Sequence, residues 1–259
     1  MSQNIFDNEI FFNEYRKLRE GKSYNDLLEQ PAMQALLPGL TGKRVLDIGC
    51  GFGHNCLDFI NRGASRVMGI DLSQKMLSAA QKEASHPGIT YRRMDMAGLS
   101  QLVSEGERFD LIYSSLAFHY AEDFPRLMAG CFSLLHPGGV LLWSQEHPIV
   151  TATLDCAGHF NQDEQGNPCS YTFSDYAKSG RRVGTWFVEG VVNYHRPMGE
   201  ILTTLAHAGF VLTDAVEPTP SPQAIKQRPD LAKEFIKPAF LIIRAKKPEN
   251  PLSGTEKGK

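Results

Sequence analysis

The segment that most constrains the fold is VLDIGCGFG at 45–53, where a short apolar run ends in an aspartate and glycine then recurs at every second position. An apolar run of this length predicts a buried strand. The glycines predict a turn whose backbone takes positive φ or lies close to a ligand. A helix-like stretch follows at 54–63, and a helix N-terminus offers unpaired N–H groups and partial positive charge to a ligand. The residues concerned are Asp47, Gly49, Gly51 and Gly53.

The glycine spacing differs from the fingerprint of dinucleotide-binding folds, G-x-G-x-x-G. Started at Gly49, that fingerprint requires glycine at the position of His54, and started at Gly51 it requires glycine at the position of Cys56. The pattern in the chain is D-x-G-x-G-x-G. A nicotinamide cofactor is therefore disfavoured in both registers.

Acidic residues end the next two apolar segments. The segment RVMGIDLS at 66–73 contains Asp71, and ITYRRMD at 89–95 ends at Asp95. Ligands of open parallel sheets bind at the carboxyl ends of the strands, so these two acids and Asp47 predict one shared site. Each also has a structural explanation, since Asp47 can bond loop amides, Asp71 can cap a helix and Asp95 can be solvated.

Alternating strand-like and helix-like segments continue along the chain. Helix-like runs lie at 54–63 and 73–84, and the segments FDLIYSSLAFHY at 109–120 and LLHPGGVLLWSQE at 134–146 predict a fourth and a fifth strand. Such alternation is typical of α/β domains with a parallel sheet.

This series of motifs over about 43–146 resembles the class I S-adenosylmethionine-dependent methyltransferases, in particular those that act on small molecules. The resemblance implies an α/β, Rossmann-like sheet of seven strands in the order 3-2-1-4-5-7-6, with the last strand antiparallel. It also implies S-adenosylmethionine as cofactor. The fourth-strand exit reads SSLA, which departs from the Asp/Asn-Pro-Pro-aromatic motif of family members that methylate adenine or glutamine, so that subclass is disfavoured.

The resemblance also implies roles for individual residues. The glycine loop would pack against the methionine and ribose portions of the cofactor, and Asp71 would accept hydrogen bonds from both ribose hydroxyls. Asp95 would meet the adenine amine and Met96 would flank the ring. In the N-terminal arm, Arg19 and Tyr24 are the candidates for contact with the methionine end. The full set of predicted cofactor-binding residues is Asp47, Gly49, Cys50, Gly51, Gly53, Asp71, Leu72, Asp95, Met96, Ser114, Arg19 and Tyr24.

Five segments are predicted. Residues 1–42 form a helical cap, and 43–146 form the cofactor-binding core. Residues 147–196 interrupt the alternation with aromatic side chains and a strand-pair pattern, RRVGTWFVEGVVNYHR, and a long insertion at a strand's carboxyl end predicts a substrate lid. Residues 197–247 complete the sheet, and 248–259 form a flexible polar tail.

Composition limits the partners of this 259-residue chain. A net charge of −2 argues against nucleic acid, because phosphate binding needs clustered Lys and Arg. The apolar runs are too short to span a bilayer, and the N-terminus lacks the layout of a signal peptide. The five cysteines form no C-x-x-C pair, which predicts reduced thiols in the cytoplasm and no metal site. A monomer or a homodimer is expected.

Methyl transfer from a sulfonium needs an aligned nucleophile and, for some acceptors, a base. Histidine is the natural base at neutral pH, and three histidines lie at the expected edge of the sheet: one after the fourth strand, one after the fifth and one at the end of the insertion. The candidates, in order of preference, are His147, His195 and His119. Glu146 beside His147 is able to orient it or to act in its place. Alternatively, His147 is a turn residue, His195 helps to cap a helix and His119 packs in an aromatic loop.

The aromatic insertion favours a small, partly apolar or aromatic acceptor. Two alternatives remain open: a methyltransferase that acts on a protein side chain or on tRNA, and a non-catalytic cofactor-binding partner protein. The sequence leaves the acceptor atom undetermined, because fold does not decide chemistry.

Overall fold

A computed structural model describes residues 3–20 and 23–249; most of the predicted tail, 250–259, lies outside the described residues. The strands are β1 Arg44–Ile48, β2 Arg66–Asp71, β3 Ile89–Arg93, β4 Phe109–Ser114, β5 Leu135–Glu146, β6 His159–Gln162, β7 Pro168–Thr172, β8 Gly180–Trp186, β9 Val188–His195, β10 Val211–Val216 and β11 Phe240–Lys246. The α-helices are α1 Glu9–Glu20, α2 Gln30–Leu36, α3 His54–Asn61, α4 Gln74–Glu83, α5 Ser100–Ser104, α6 Phe124–Leu134, α7 Pro148–Thr151, α8 Met198–His207 and α9 Pro222–Gln227.

Seven strands form the central sheet in the order β3-β2-β1-β4-β5-β11-β10. The pairs from β1 to β5 are parallel, while β11 is antiparallel to both β5 and β10. The predicted order, with an antiparallel last strand, is confirmed. The carboxyl ends of β1 to β5 therefore meet at one edge, where the acidic strand ends come together.

Helices cover both faces of the sheet, so the central strands are apolar on both sides. Val45, Leu46 and Ile48 of β1 are all fully buried. One apolar cluster surrounds Trp143 and Phe118, and a second on the other face surrounds Phe59 and Tyr113. This packing holds the loops at the carboxyl edge in position.

The insertion at 147–196 contains α7 and two antiparallel hairpins. The strand pair expected from its sequence is present as β8 and β9. A second pair, β6 and β7, has mostly polar, exposed residues, and hydrophobic alternation therefore gave no signal for it.

Hydrogen bonds tie the insertion and the N-terminal segment to the sheet edge. Arg196, buried after β9, donates to the carbonyls of Ala121 and Glu122 in the loop beyond β4. Gln3 donates from Nε2 to Gly190 O at 2.7 Å and accepts from Val192 N at 2.8 Å. The β8–β9 hairpin thus lies over the carboxyl edge. Gln3 holds it to the N-terminal segment, and Arg196 holds it to the loop beyond β4. Among the described residues, no helix is long and apolar enough to cross a membrane.

Candidate active site

A cavity of about 320 Å³ opens at the carboxyl ends of β1 to β4. The sheet side of the cavity comes from the loops after these strands, and the opposite side comes from the N-terminal segment and the β8–β9 hairpin. Lining residues on the sheet side include Gly49, Gly51, Asp71, Leu72, Asp95, Met96 and Ser115. Those on the opposite side include Gln3, Phe6, Tyr15, Arg181, Val192 and Tyr194.

The glycine loop lines the cavity with backbone atoms of residues that have no side chain. Gly49 and Gly51 have φ values of 74° and 52°, a region that side chains rarely adopt. A Cβ at Gly51 would have no protein atom within 4 Å, so the space in front of this residue belongs to the cavity. A Cβ at Gly49 would lie 2.6 Å from Ala117 Cβ. Glycine is thus required at 49 for contact with the loop beyond β4, and the positive φ of residue 51 favours glycine there.

The carboxylate of Asp71 lies at the end of β2 and is held by the backbone. Oδ2 accepts from Gly51 N at 2.9 Å, and Oδ1 accepts from Ser73 N at 2.8 Å. Burial raises the pKa of Asp71 to about 6. Each oxygen retains acceptor capacity for a ligand, so this carboxylate fits a pair of hydroxyl donors such as those of a ribose.

Of the other predicted cofactor-binding residues in the core, some line the cavity and the rest lie behind its wall. Leu72, Asp95 and Met96 line the cavity, and Asp95 Oδ1 accepts from Ala97 N at 2.9 Å. The others do not line it; they are Asp47, Cys50, Gly53 and Ser114.

These four residues support the loop from behind. Asp47 is buried and accepts a bond from Cys56 Sγ at 3.3 Å, and burial raises its pKa to about 7. Ser114 donates to Ile48 O at 2.8 Å. A Cβ at Gly53 would lie 2.2 Å from Tyr91 Oη, and Cys50 is buried beside it in the loop. They maintain the loop's shape, and Ser115 rather than Ser114 reaches the cavity.

The structure does not bring Arg19 or Tyr24 to the cavity wall. Tyr24 donates from Oη to Asp230 Oδ2 at 2.9 Å, and Arg19 lies 3.6 Å from Asp26 in an ion pair. Tyr15 is the residue of α1 that lines the cavity. Tyr15 lies four residues after Phe11, so both side chains are on the same face of α1. This spacing is the sequence signal that could have identified Tyr15 as an inward-facing residue.

A smaller cavity of about 90 Å³ adjoins the first, and we call it the small chamber. The two cavities share the residues Phe6, Tyr15, Leu116 and Tyr120. The small chamber is otherwise lined by Asn25, His119, Glu146, Trp186 and Phe240. It combines aromatic walls with the polar groups of Asn25, His119, Glu146 and two tyrosines, and Glu146 supplies a carboxylate at the end of β5.

Two of the three candidate histidines are occupied by structural hydrogen bonds away from both cavities. His147 accepts from Ile149 N at 3.1 Å and faces Glu217 Oε1 at 2.9 Å. His195 is fully buried; its Nδ1 lies 2.8 Å from Thr151 Oγ1, and its Nε2 lies 2.8 Å from Tyr176 O. Since both ring nitrogens of each histidine are engaged, neither is free to take a proton from an acceptor. The expected order of preference is therefore revised.

His119, ranked last by the sequence, is the histidine that lines the small chamber. Its Nδ1 accepts from Glu146 N at 3.4 Å, which places the proton of the neutral ring on Nε2. Burial lowers the pKa of His119 and so favours its neutral ring. Glu146, which the sequence offered as a residue to orient His147 or to act in its place, also lines the small chamber.

His195→Ala is expected to lower the free energy of unfolding by about 1–3 kcal/mol at pH 7.5, because two buried hydrogen bonds are lost. Burial lowers the pKa of the folded imidazole, so the unfolded chain binds more protons near and below its ordinary pKa of about 6.5. The contribution of His195 is therefore lost as the pH falls through that value.

Urea unfolding of wild type and variant from pH 7.5 to 5.5 measures this difference. The comparison isolates the imidazole, because Asp47 and Asp71, whose raised pKa values act in the opposite direction, are present in both proteins. A stability difference that grows toward pH 5.5 would contradict the assignment.

Comparison with known proteins adds independent observations. A family model described as a methyltransferase domain matches residues 45–139. The crystal structure of an S-adenosylmethionine-dependent methyltransferase from Mesorhizobium loti is 39% identical and superimposes with a TM-score of 0.76, covering 84% of this chain and 97% of that chain. A structure from Listeria monocytogenes, described as the same kind of enzyme, is 32% identical with a TM-score of 0.76, covering 85% of this chain and 96% of that chain.

A curated enzyme is matched over a shorter stretch. Trans-aconitate 2-methyltransferase of Deinococcus radiodurans is 35% identical over 140 residues, which is 50% of this chain and 52% of that protein. The matches to the two solved structures cover nearly the whole length of those chains, whereas the match to the Deinococcus enzyme covers about half of its length.

Proposed function

From the premise that this chain belongs to the class I S-adenosylmethionine-dependent methyltransferases, we propose that it methylates a small, partly apolar acceptor held in the small chamber. The observation that carries the proposal is the position of this chamber. It adjoins the cavity that contains the glycine loop and Asp71, and its walls are largely aromatic.

The residues of the large cavity fit the cofactor. Asp71 would hold the ribose hydroxyls, the backbone at Gly49 and Gly51 would admit the chain that carries the sulfonium, and Asp95 and Met96 would meet the adenine. When bound, S-adenosylmethionine supplies a methyl group on a positively charged sulfur, which is already an excellent leaving group. The protein's task is then to align the acceptor and to manage its proton.

The insertion supports a small acceptor because it contributes to the wall of the chamber. Trp186 of β8 forms one wall, and Gln3 bonds the turn-side backbone of β9. We propose that 147–196 serves as the substrate lid and that 1–42 caps the site from the other side. A small chamber with aromatic walls favours a small acceptor over a macromolecule.

Two polar groups in the chamber are placed to handle a proton. Glu146 is partly buried, and its Oε2 accepts from Asn193 Nδ2 at 3.0 Å. His119 offers an Nε2 proton that can orient an acceptor atom. We propose Glu146 as the proton acceptor and His119 as an orienting donor, in place of His147 and His195.

Calorimetric titration of S-adenosylhomocysteine, followed by transfer of a labelled methyl group into a cell extract, tests the proposal. We expect micromolar binding and label in the small-molecule fraction. Label in precipitated protein or in tRNA would favour a macromolecular acceptor. Binding without any transfer would favour a non-catalytic partner protein. Absence of binding would refute the cofactor assignment for this cavity.

A further inference from the structure

We propose that the acceptor is a basic amine, which binds as an ammonium ion between the aromatic rings of the small chamber and the carboxylate of Glu146. This inference rests on the proposed function and narrows it to one class of substrate. It is carried by the arrangement of the rings, by the unpaired carboxylate and by the absence of a lysine or arginine among the residues that line the chamber.

The first observation is the arrangement of the rings. Phe6 packs edge-on against Tyr15, with centroids 5.3 Å apart and an interplanar angle of 83°. Phe6 also meets Tyr120 at 6.0 Å and 86°, and Tyr15 meets Trp186 at 5.8 Å and 87°. Because these neighbouring rings are perpendicular, the group presents ring faces as well as ring edges, and an aromatic face attracts an ammonium ion.

The second observation is that Glu146 lacks a positive partner. Asn193 bonds Oε2, and no hydrogen bond from the described residues reaches Oε1. Among residues 3–20 and 23–249 no lysine or arginine lies within the 4.0 Å ion-pair distance of this carboxylate, although the charge of the buried Lys237 acts on it from farther away. A half-buried, unpaired carboxylate favours a cationic ligand, since pairing offsets part of its desolvation.

The third observation concerns the other polar groups. Asn25, His119 and the hydroxyls of Tyr15 and Tyr120 complete the polar lining. The amide and the hydroxyls carry no positive charge, and burial lowers the pKa of His119, which favours its neutral ring. A carboxylate or phosphate in the chamber would therefore face Glu146 with no positive group lining the wall. The chamber discriminates against anionic acceptors in addition to attracting cations.

The chemistry is compatible with binding as a cation. An ammonium nitrogen has no lone pair, so one proton must leave before methyl transfer, and Glu146 Oε1 is placed to accept it. The freed lone pair forms the new nitrogen–carbon bond, while the electron pair of the sulfur–carbon bond stays on sulfur. The product is a methylated ammonium of the same charge as the bound substrate.

Three probes of similar shape and different charge test the inference. With the protein saturated with S-adenosylhomocysteine, we would titrate 2-phenylethylamine, 2-phenylethanol and phenylacetate by calorimetry. We expect the amine to bind about tenfold more tightly than the alcohol, and phenylacetate to bind most weakly. In Glu146→Gln, which preserves size and the bond to Asn193, the preference for the amine should fall to about twofold or less.

Glu189→Gln is the matched control, because it removes the same charge from an exposed position on the β8–β9 hairpin. It should retain the preference for the amine. Tighter binding of the alcohol or of phenylacetate, an undiminished preference in Glu146→Gln, or no binding of any probe would each overturn the inference.

The proposed function has a separate readout. It fails if S-adenosylhomocysteine does not bind or if label enters only macromolecules. It survives if the cofactor product binds and a neutral or anionic small molecule is methylated, an outcome that rejects only the amine.

Discussion

Asp71→Ala is expected to weaken the binding of S-adenosylhomocysteine about 100-fold, because the side chain would accept two charge-assisted hydrogen bonds from the ribose. The variant also leaves the amides of Gly51 and Ser73 without their present acceptors, which loosens the loop that lines the cavity. Calorimetric titration of wild type and variant at pH 7.5 gives the ratio of dissociation constants.

Two further variants make this test specific. Asp71→Asn keeps the shape and one acceptor oxygen, so its loss of affinity should be smaller than that of Asp71→Ala. Asp58→Ala removes a carboxylate that pairs with Arg62 on the outer surface of α3, and its affinity should match the wild type. An unchanged affinity in Asp71→Ala would show that the ribose does not bind at the end of β2.

Gly49→Ala is expected to lower the free energy of unfolding by about 2–5 kcal/mol. The added Cβ would lie 2.6 Å from Ala117 Cβ, at a residue whose φ is +74°. Left-handed backbone costs an alanine about 1–2 kcal/mol, and forcing atoms into a packed contact costs about 1–3 kcal/mol. Urea unfolding measures the loss, and cofactor-product binding should fall with it, because this contact joins the loops after β1 and β4.

Gly39→Ala is the control for that experiment. Gly39 precedes β1 in an exposed loop, has ordinary φ and has no atom within 4 Å of an added Cβ. Its substitution should leave stability and binding unchanged. Equal free energies of unfolding for Gly49→Ala and wild type would mean that the loops after β1 and β4 can move apart without loss of stability.

The two halves of the site are built on different supports. The proposed cofactor half comes from loops at the ends of parallel strands, whose positions follow from the sheet. The proposed acceptor half comes from the N-terminal segment, the loop beyond β4 and the β8–β9 hairpin, which meet through side chains such as Gln3 and Arg196. Family members can therefore share the first half and differ in the second.

The fold and the cofactor edge could be predicted because their signals are local. A buried parallel strand needs a continuous apolar run, and a loop with left-handed backbone needs glycine. Both requirements are visible in residues that are neighbours in the chain. The positions of Asp71 and Asp95 could be predicted for the same reason, since Asp71 ends β2, Asp95 follows β3 by two residues, and the topology brings both strand ends to one edge.

The small chamber had no such local signal. His147 and His195 follow β5 and β9 as expected, yet Glu217 and Tyr176 occupy their ring nitrogens. Tyr24 meets Asp230, which lies 206 positions away in the chain. Tertiary packing decides which polar side chain forms a hydrogen bond with a distant residue and which one faces a cavity. The sequence around each residue does not contain this information.

The sequence alone thus determined the α/β alternation, the glycine loop, the acidic strand ends and an inserted strand pair, because these depend on backbone preference and hydrophobic pattern. The number and order of the sheet strands were implied by the resemblance to class I methyltransferases. Tertiary structure decided that His119 and Glu146, rather than His147 and His195, face the small chamber beside Tyr15 and Trp186. The reason is that hydrogen-bond satisfaction and burial of a side chain depend on residues brought together from distant parts of the chain.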